Sequence, residues 1–439
     1  MNYKCVFNGI GDRLDTAFFT NRHGETSSFR VKVDDSQLRY QSTTPPQVAD
    51  LVDLASAIYV ADRLSIRKKD CKRYIQVELP VRHRELFQKL SLMELLKNVL
   101  YFYTEDNWSF EFQERKGQRR LAEDRGALTL GNEEREVALW SGGLDSLAGL
   151  WTQITKSPQK QFTLFGTGSS DFILKKQQEI ADLVRKTWSK SINLIQVPLN
   201  LWDVKRQEPT QRTRGLFFLL LGSACAYLEG QNKLFVYENG VGALNLSCRE
   251  SEVGIDHAKS VHPRSLLEVS DLVSHIFDTP FSIQNPFLFW TKAQMCKVLQ
   301  NEEEKQIALK TISCDSRRRE SGRIQCGKCS SCILRRQALA AAGIEDKTGY
   351  FSEQLKEEKE RIALEAMLYQ VENLRDFFAA PSPWNSLIYR YPELDTVAYR
   401  LAKKEGITSD LIAKRLIELY QNYLKEWDLV RSIIDSRVS

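Results

Sequence analysis

The chain has 439 residues, 42% of them hydrophobic and 27% charged, with a formal net charge of +5. That length exceeds one ordinary core and predicts two or three domains, while no apolar run reaches the roughly 18 residues of a membrane helix. The mild charge selects no nucleic-acid or membrane partner, and the polar start MNYKCVFNGIGDRL lacks a secretion signal, so a cytoplasmic location is expected. Residues 1–130 read as an α+β domain without a catalytic motif. RYIQVEL places Ile75, Val77 and Leu79 on one strand face, and WSFEF does the same with Trp108, Phe110 and Phe112. Apolar residues at 48, 51, 52, 55, 58 and 59 have helix spacing.

From 131 to 350 the texture is α/β. EVALW, QFTLFGT, INLIQVPL and KLFVYENG read as strands, with helical sequence such as LVRKTW between them. LFFLLLGSACAYLEG is apolar nearly all round and reads as a buried helix. Such alternation predicts a parallel sheet that binds ligands at its strand C-termini. Residues 351–439 read as a helical region. KEEKERIALEAMLYQVENLRDFF and SDLIAKRLIELYQNYLKEWDLVRSII are amphipathic, joined by the Pro-bearing APSPWNSLIYRYPEL.

The first EVALW strand runs into SGGLDS, Ser141 to Ser146. Gly142 and Gly143 allow close backbone approach to an anion, and a helix N-terminus adds positive potential. Ser141 and Ser146 supply hydroxyl donors, and Asp145 either holds Mg²⁺ or fixes the loop. No Walker lysine is present here, so this differs from the common P-loop. Arg212 and Arg214 open the buried helix, and Lys292 opens another after NPFLFW. All three are candidate phosphate contacts.

Four of the nine cysteines, Cys314, Cys326, Cys329 and Cys332, stand within one short window. Their spacing suits the closed tetrahedral shell of a structural Zn²⁺, with an iron–sulfur cluster as the competing reading. The other five are scattered and read as small core residues.

SGGLDS resembles the loop of the PP-loop ATP pyrophosphatases, which grip the β,γ-pyrophosphate of ATP while a substrate oxygen attacks the α-phosphate. CGKCSSCILRRQAL, VALWSGGLDS, FFLLLGSACAYLEG and PFLFWTKAQM together resemble the QueC family of 7-cyano-7-deazaguanine synthases over roughly residues 135 to 345. The resemblance implies an adenine nucleotide alpha hydrolase-like α/β fold with a zinc loop. It further implies ATP, Mg²⁺ and Zn²⁺ as cofactors, a 7-carboxy-7-deazaguanine substrate, and an AMP-forming carbon–nitrogen ligase. By the resemblance Ser141, Gly142, Gly143, Leu144, Asp145, Ser146 and Arg212 bind nucleotide, and Asp145, Ser146, Lys292 and Arg214 act in catalysis. The four cysteines bind zinc. The family's base-reading Asp is absent from ENGVGALNLSCRESEVGIDH, where Glu238, Asn239, Gly240 and Asn245 are the candidates to meet a base edge.

The added flanks resemble the layout of QueC-like proteins of anti-phage systems, the QatC and CBASS-associated types. In that branch the expected acceptor is an amine of a partner protein, and a homodimer is a further expectation. The alternatives are an ordinary synthase using ammonia, a PP-loop tRNA-modifying enzyme with Arg317, Arg318, Arg319 and Arg323 as RNA contacts, and an inactive nucleotide-binding scaffold.

Overall fold

A computed structural model describes residues 2–10, 15–40, 44–68, 71–115, 134–168, 170–188, 191–204, 208–248, 259–314 and 325–438. The arginine run 317–319 with Arg323, and residues 249–257 of the base-reading stretch, lie outside the described residues. Strands β1 (Asn2–Phe7), β2 (Asp15–Thr20) and β3 (Thr26–Val33) form a meander that turns alternate residues such as Cys5, Phe19 and Val31 inward. Helix α1 (Pro46–Leu64) covers the predicted helical spacing but is buried on every side from Val48 to Leu64. The strand β4 (Tyr74–Val81), the short helix α2 (Arg84–Phe87), α3 (Leu90–Thr104) and β5 (Asn107–Glu114) follow. Both RYIQVEL and WSFEF are therefore strands, as their alternation predicts.

The second stretch alternates as expected. It contains β6 (Arg135–Leu139), α4 (Leu144–Lys156), β7 (Gln161–Gly168), α5 (Asp171–Trp188), β8 (Ile192–Trp202), α6 (Arg214–Leu228) and β9 (Lys233–Phe235). After it come α7 (Gly240–Leu244), α8 (Pro263–Phe277), β10 (Ser282–Gln284), α9 (Lys292–Cys296), α10 (Glu302–Lys310) and α11 (Ser330–Ala341). The KLFVYENG strand is only three residues long, because the chain leaves the sheet before Glu238 to enter α7. The C-terminal helices are α12 (Glu358–Ala379), α13 (Pro383–Arg390), α14 (Glu393–Glu405) and α15 (Ser409–Val438). The Pro-bearing joint APSPWNSLIYRYPEL contains the whole of α13 and the start of α14. Among the described residues no helix is long and apolar enough to cross a membrane.

The ten strands of the described residues join one sheet in the order β10-β9-β6-β7-β8-β3-β2-β1-β4-β5. From β10 to β8 the pairs are parallel, and β3 then joins β8 antiparallel, with Val31 opposite Leu201. The N-terminal stretch thus extends the same sheet. On one face a core forms from the N-terminal strands with α1, α3, α6 and α8. On the other, α4 and α5 share a second core with α9, α11 and the C-terminal helices, including Trp140, Leu147, Leu419 and Trp427.

The all-round burial of α1 requires partners for its acids, since a buried unpaired charge is costly. Arg73 is fully buried and donates to Asp62 at 2.6 Å and to Asp106 at 2.7 Å. Asp62 also accepts from the backbone N–H and hydroxyl of Thr213, just before α6, at 3.1 and 3.0 Å. This network ties α1 to the entry of α6. Asp62→Ala leaves the Arg73 guanidinium half compensated and should cost about 3–5 kcal/mol of stability. Denaturant titration checks this, and a cost below about 1 kcal/mol would mean that Asp106 alone suffices.

Candidate functional site

Strand β6 sits at the point where the sheet order reverses. The chain moves outward through β7 and β8, then crosses to β9 on the opposite side. Crevices at the carboxyl ends of strands on either side of such a point are where open α/β sheets bind ligands. Ser141–Gly143 follow β6, and Glu238–Gly240 follow β9. The two candidate segments therefore flank one crevice.

The loop itself is built for close approach. Gly142 has φ +70°, and a Cβ there would lie 3.3 Å from the Gln177 backbone of α5. Gly143 is the N-cap of α4, and its N–H donates to Ser141 Oγ at 3.1 Å. Ser141 Oγ and Ser146 Oγ are 2.8 Å apart. The motif thus brings both hydroxyls and the first turn of α4 together, with Asp145 in that turn. Trp140 is buried beneath the loop, its indole donating to Gln177 O at 2.9 Å.

Asp145 is held by side chains from two other segments. Lys292 Nζ, from the first residue of α9, donates to Asp145 Oδ2, and Asn239 Nδ2 donates to Asp145 Oδ1 at 3.1 Å. Asn239 Nδ2 also reaches Glu238 Oε1 at 2.7 Å, while Asn239 Oδ1 caps α7 by accepting from Gly242 N at 2.9 Å. Burial alone would lower the Lys292 pKa, but the Asp145 and Glu238 carboxylates outweigh it and hold the ammonium above its ordinary value. Gly240 cannot carry a side chain, because its Cβ would meet Leu288 O at 1.9 Å. Asn245 closes α7 in the left-handed conformation, φ +45°.

The two arginines are placed differently from Lys292. Arg212 donates to Thr104 O at 2.9 Å, at the end of α3, and lies 3.9 Å from Glu105. Burial, then the neighbouring Arg67 charge, lowers its pKa. Arg214 is exposed at the first position of α6, with its guanidinium 5.6 Å from the centre of the Phe218 ring. A groove of about 770 Å³ beside β5, lined by Phe87, Met93, Phe110 and Phe112, shares no residue with this site.

The four cysteines do converge. Their Sγ atoms all lie within 4.8 Å of one another, with Cys326 and Cys332 at 3.9 Å and Cys314 and Cys329 at 4.0 Å. A tetrahedron with Zn–S of about 2.3 Å requires S···S of about 3.8 Å, so the sulfurs fit Zn²⁺. Cys329 caps α11, and the backbone N–H groups of Cys326 and Cys329 donate to Cys314 and Cys326 sulfurs at 3.3 Å. The neighbouring thiols, Cys314 first, hold Cys326 well below the ordinary thiol range.

Arg335 and Arg336, within CGKCSSCILRRQAL, carry no motif role yet staple the segments around the cluster. Arg335 is fully buried and ties Thr311 Oγ1 at 2.8 Å and Ala308 O at 2.9 Å. Arg336 ties Gly327 O at 3.1 Å and Glu353 O at 2.6 Å. Between these staples the chain leading to Cys314 passes the SGGLDS loop, so that a Cβ on Gly143 would lie 3.2 Å from Ile312 O. The segment entering the cysteine cluster thus lies directly against the loop.

Two comparisons with known proteins bear on this geometry. Residues 216–343 match the family described as queuosine biosynthesis protein QueC. A 7-cyano-7-deazaguanine synthase of Prochlorococcus marinus (strain NATL2A) is 25% identical over 235 residues, covering 49% of this chain and 96% of that protein.

Proposed function

We propose that this QueC-family chain is an ATP-dependent carbon–nitrogen ligase, adenylating a 7-carboxy-7-deazaguanine-type carboxylate and passing its acyl group to an amine. The observation that carries the reading is the Ser141–Ser146 loop at the sheet's reversal point, with Asp145 clamped between Lys292 and Asn239. A carboxylate oxygen attacks the α-phosphorus of ATP, the bond from that phosphorus to the α,β-bridging oxygen breaks, and pyrophosphate departs with that oxygen into the loop. The amine nitrogen then attacks the acyl carbon, AMP leaves with the C–O bonding pair, and the amine loses a proton. Ser141, Ser146 and the loop N–H groups receive the growing charge on pyrophosphate. Lys292 and Arg214 are assigned to neutralise it, and Arg212 to support the nucleotide from the entry of α6.

Asp145 already accepts from Lys292 and Asn239, which suits it to anchor the loop. Mg²⁺ bound with the nucleotide would offset triphosphate charge. Glu238, Asn239, Gly240 and Asn245 are assigned to the base.

Ammonia needs no docking surface, yet long segments flank the QueC-like stretch at both ends. We therefore assign the acceptor to an amine of a partner protein in anti-phage defence. An N-terminal α-amine suits best, because its pKa of about 7.7–8.0 leaves more of it neutral at pH 7 than lysine. Incubation with ATP, 7-carboxy-7-deazaguanine and the protein encoded beside this one should add the acyl mass to that partner. Free amide or nitrile with an unmodified partner would make the chain an ordinary synthase.

A further inference from the structure

The C-terminal helices lie outside the stretch that matches the QueC family, yet they reach the phosphate-loop crevice. Leu419 of α15 lies against Gly240, where a Cβ would be 2.6 Å from its Cδ2. Gln370 of α12 donates to Leu246 O at 2.9 Å, and Tyr391, just after α13, to Ser247 O at 3.0 Å. A buried carboxylate makes the most direct link. Glu426 of α15 is 7% exposed, and its Oε1 accepts from Thr291 Oγ1 at 2.5 Å. Its Oε2 faces the Gln337 amide of α11 at 3.4 Å.

Thr291 immediately precedes Lys292. It caps α9 through a reciprocal box, its hydroxyl accepting from Gln294 N at 3.0 Å and its N–H donating to Gln294 Oε1 at 2.8 Å. With the hydroxyl oxygen accepting from the helix, its one hydrogen points to Glu426. A five-residue helix has little stability of its own, so its direction comes from its caps and packing. We infer that Glu426 is a positioning residue for the Lys292–Asp145 pair, making the C-terminal helix an integral part of the nucleotide site. The inference rests on the proposed reading that this loop takes ATP.

The test uses the full-length protein with ATP and 7-carboxy-7-deazaguanine and measures pyrophosphate release, with kcat and KM separated, beside the thermal midpoint. E426A and T291V should lower kcat by about 10–100-fold, the scale of an ångström's misplacement of a reacting group, with KM little changed. E426Q keeps an acceptor for Thr291 and should restore kcat towards wild type. L416A, which opens a cavity in the same helix away from this link, should lower the midpoint without that loss of rate. Wild-type kcat in E426A, an E426Q as slow as E426A, or an equal loss in L416A would each overturn the inference. If the wild-type protein releases no pyrophosphate, the ATP reading itself fails and takes the inference with it.

Discussion

Asp145→Ala should reduce pyrophosphate release from ATP by at least about 10³-fold, the upper range for losing one preorganised electrostatic contact. The large effect is expected because one carboxylate organises three elements. It holds Lys292 from α9, Asn239 from the segment after β9, and the first turn of α4 on which Ser146 stands. The same change deprives a buried ammonium of its direct carboxylate partner, leaving Glu238 as a more distant one, so stability should fall by about 3–5 kcal/mol. These two effects are separable. An Asp145→Ala/Lys292→Met double variant removes the stranded charge and should recover most of the stability while remaining inactive. Activity in either variant would remove Asp145 from the machinery. In the wild type, ADP with orthophosphate as products would exclude attack at the α-phosphorus.

The purified protein should hold one Zn²⁺ per chain, and stripping it should damage both stability and nucleotide binding. The sulfur set matches the tetrahedral dimensions, and the free energy of binding structural zinc is folding free energy, about 10–16 kcal/mol in isolated zinc peptides. Only part of that is at stake here, because α11 also packs through Leu339 and Arg335 in the second core. Cys332→Ser should lower the thermal midpoint by at least about 5 °C. It should also weaken ATP binding, since Ile312 O, two residues before Cys314, faces Gly143. Iron with a brown chromophore, or no bound metal, would refute the zinc assignment. Loss of metal with unchanged ATP affinity would disconnect the knuckle from the loop.

How much of this was legible in the sequence follows from the range of the interactions. Strand and helix periodicity exposes β4, β5, β6, β7, β8 and α6, because alternation and all-round hydrophobicity are local patterns. SGGLDS and the cysteine spacing are equally local, since each places its chemistry within a few residues of one turn. Within the region read as helical, the Pro-bearing joint turns out to hold α13, because Pro383 stands in its first turn and Pro392 lies just before α14. Proline at such positions gives up N–H groups that have no partner within the helix anyway.

Local residue order therefore determined the SGGLDS turn, the four-cysteine spacing, the parallel α/β alternation and the family resemblance, since those depend on neighbours along the chain. Only the tertiary structure decided that β3 pairs with β8 and merges both halves into one sheet. It likewise brings Asn239 and Lys292 to Asp145 from 94 and 147 residues away, and Glu426 to Thr291 from 135. Nothing near Asp62 or Glu426 in sequence announces that it is buried. A carboxylate reads as surface until its partner is known, and the partner is supplied by packing between distant elements.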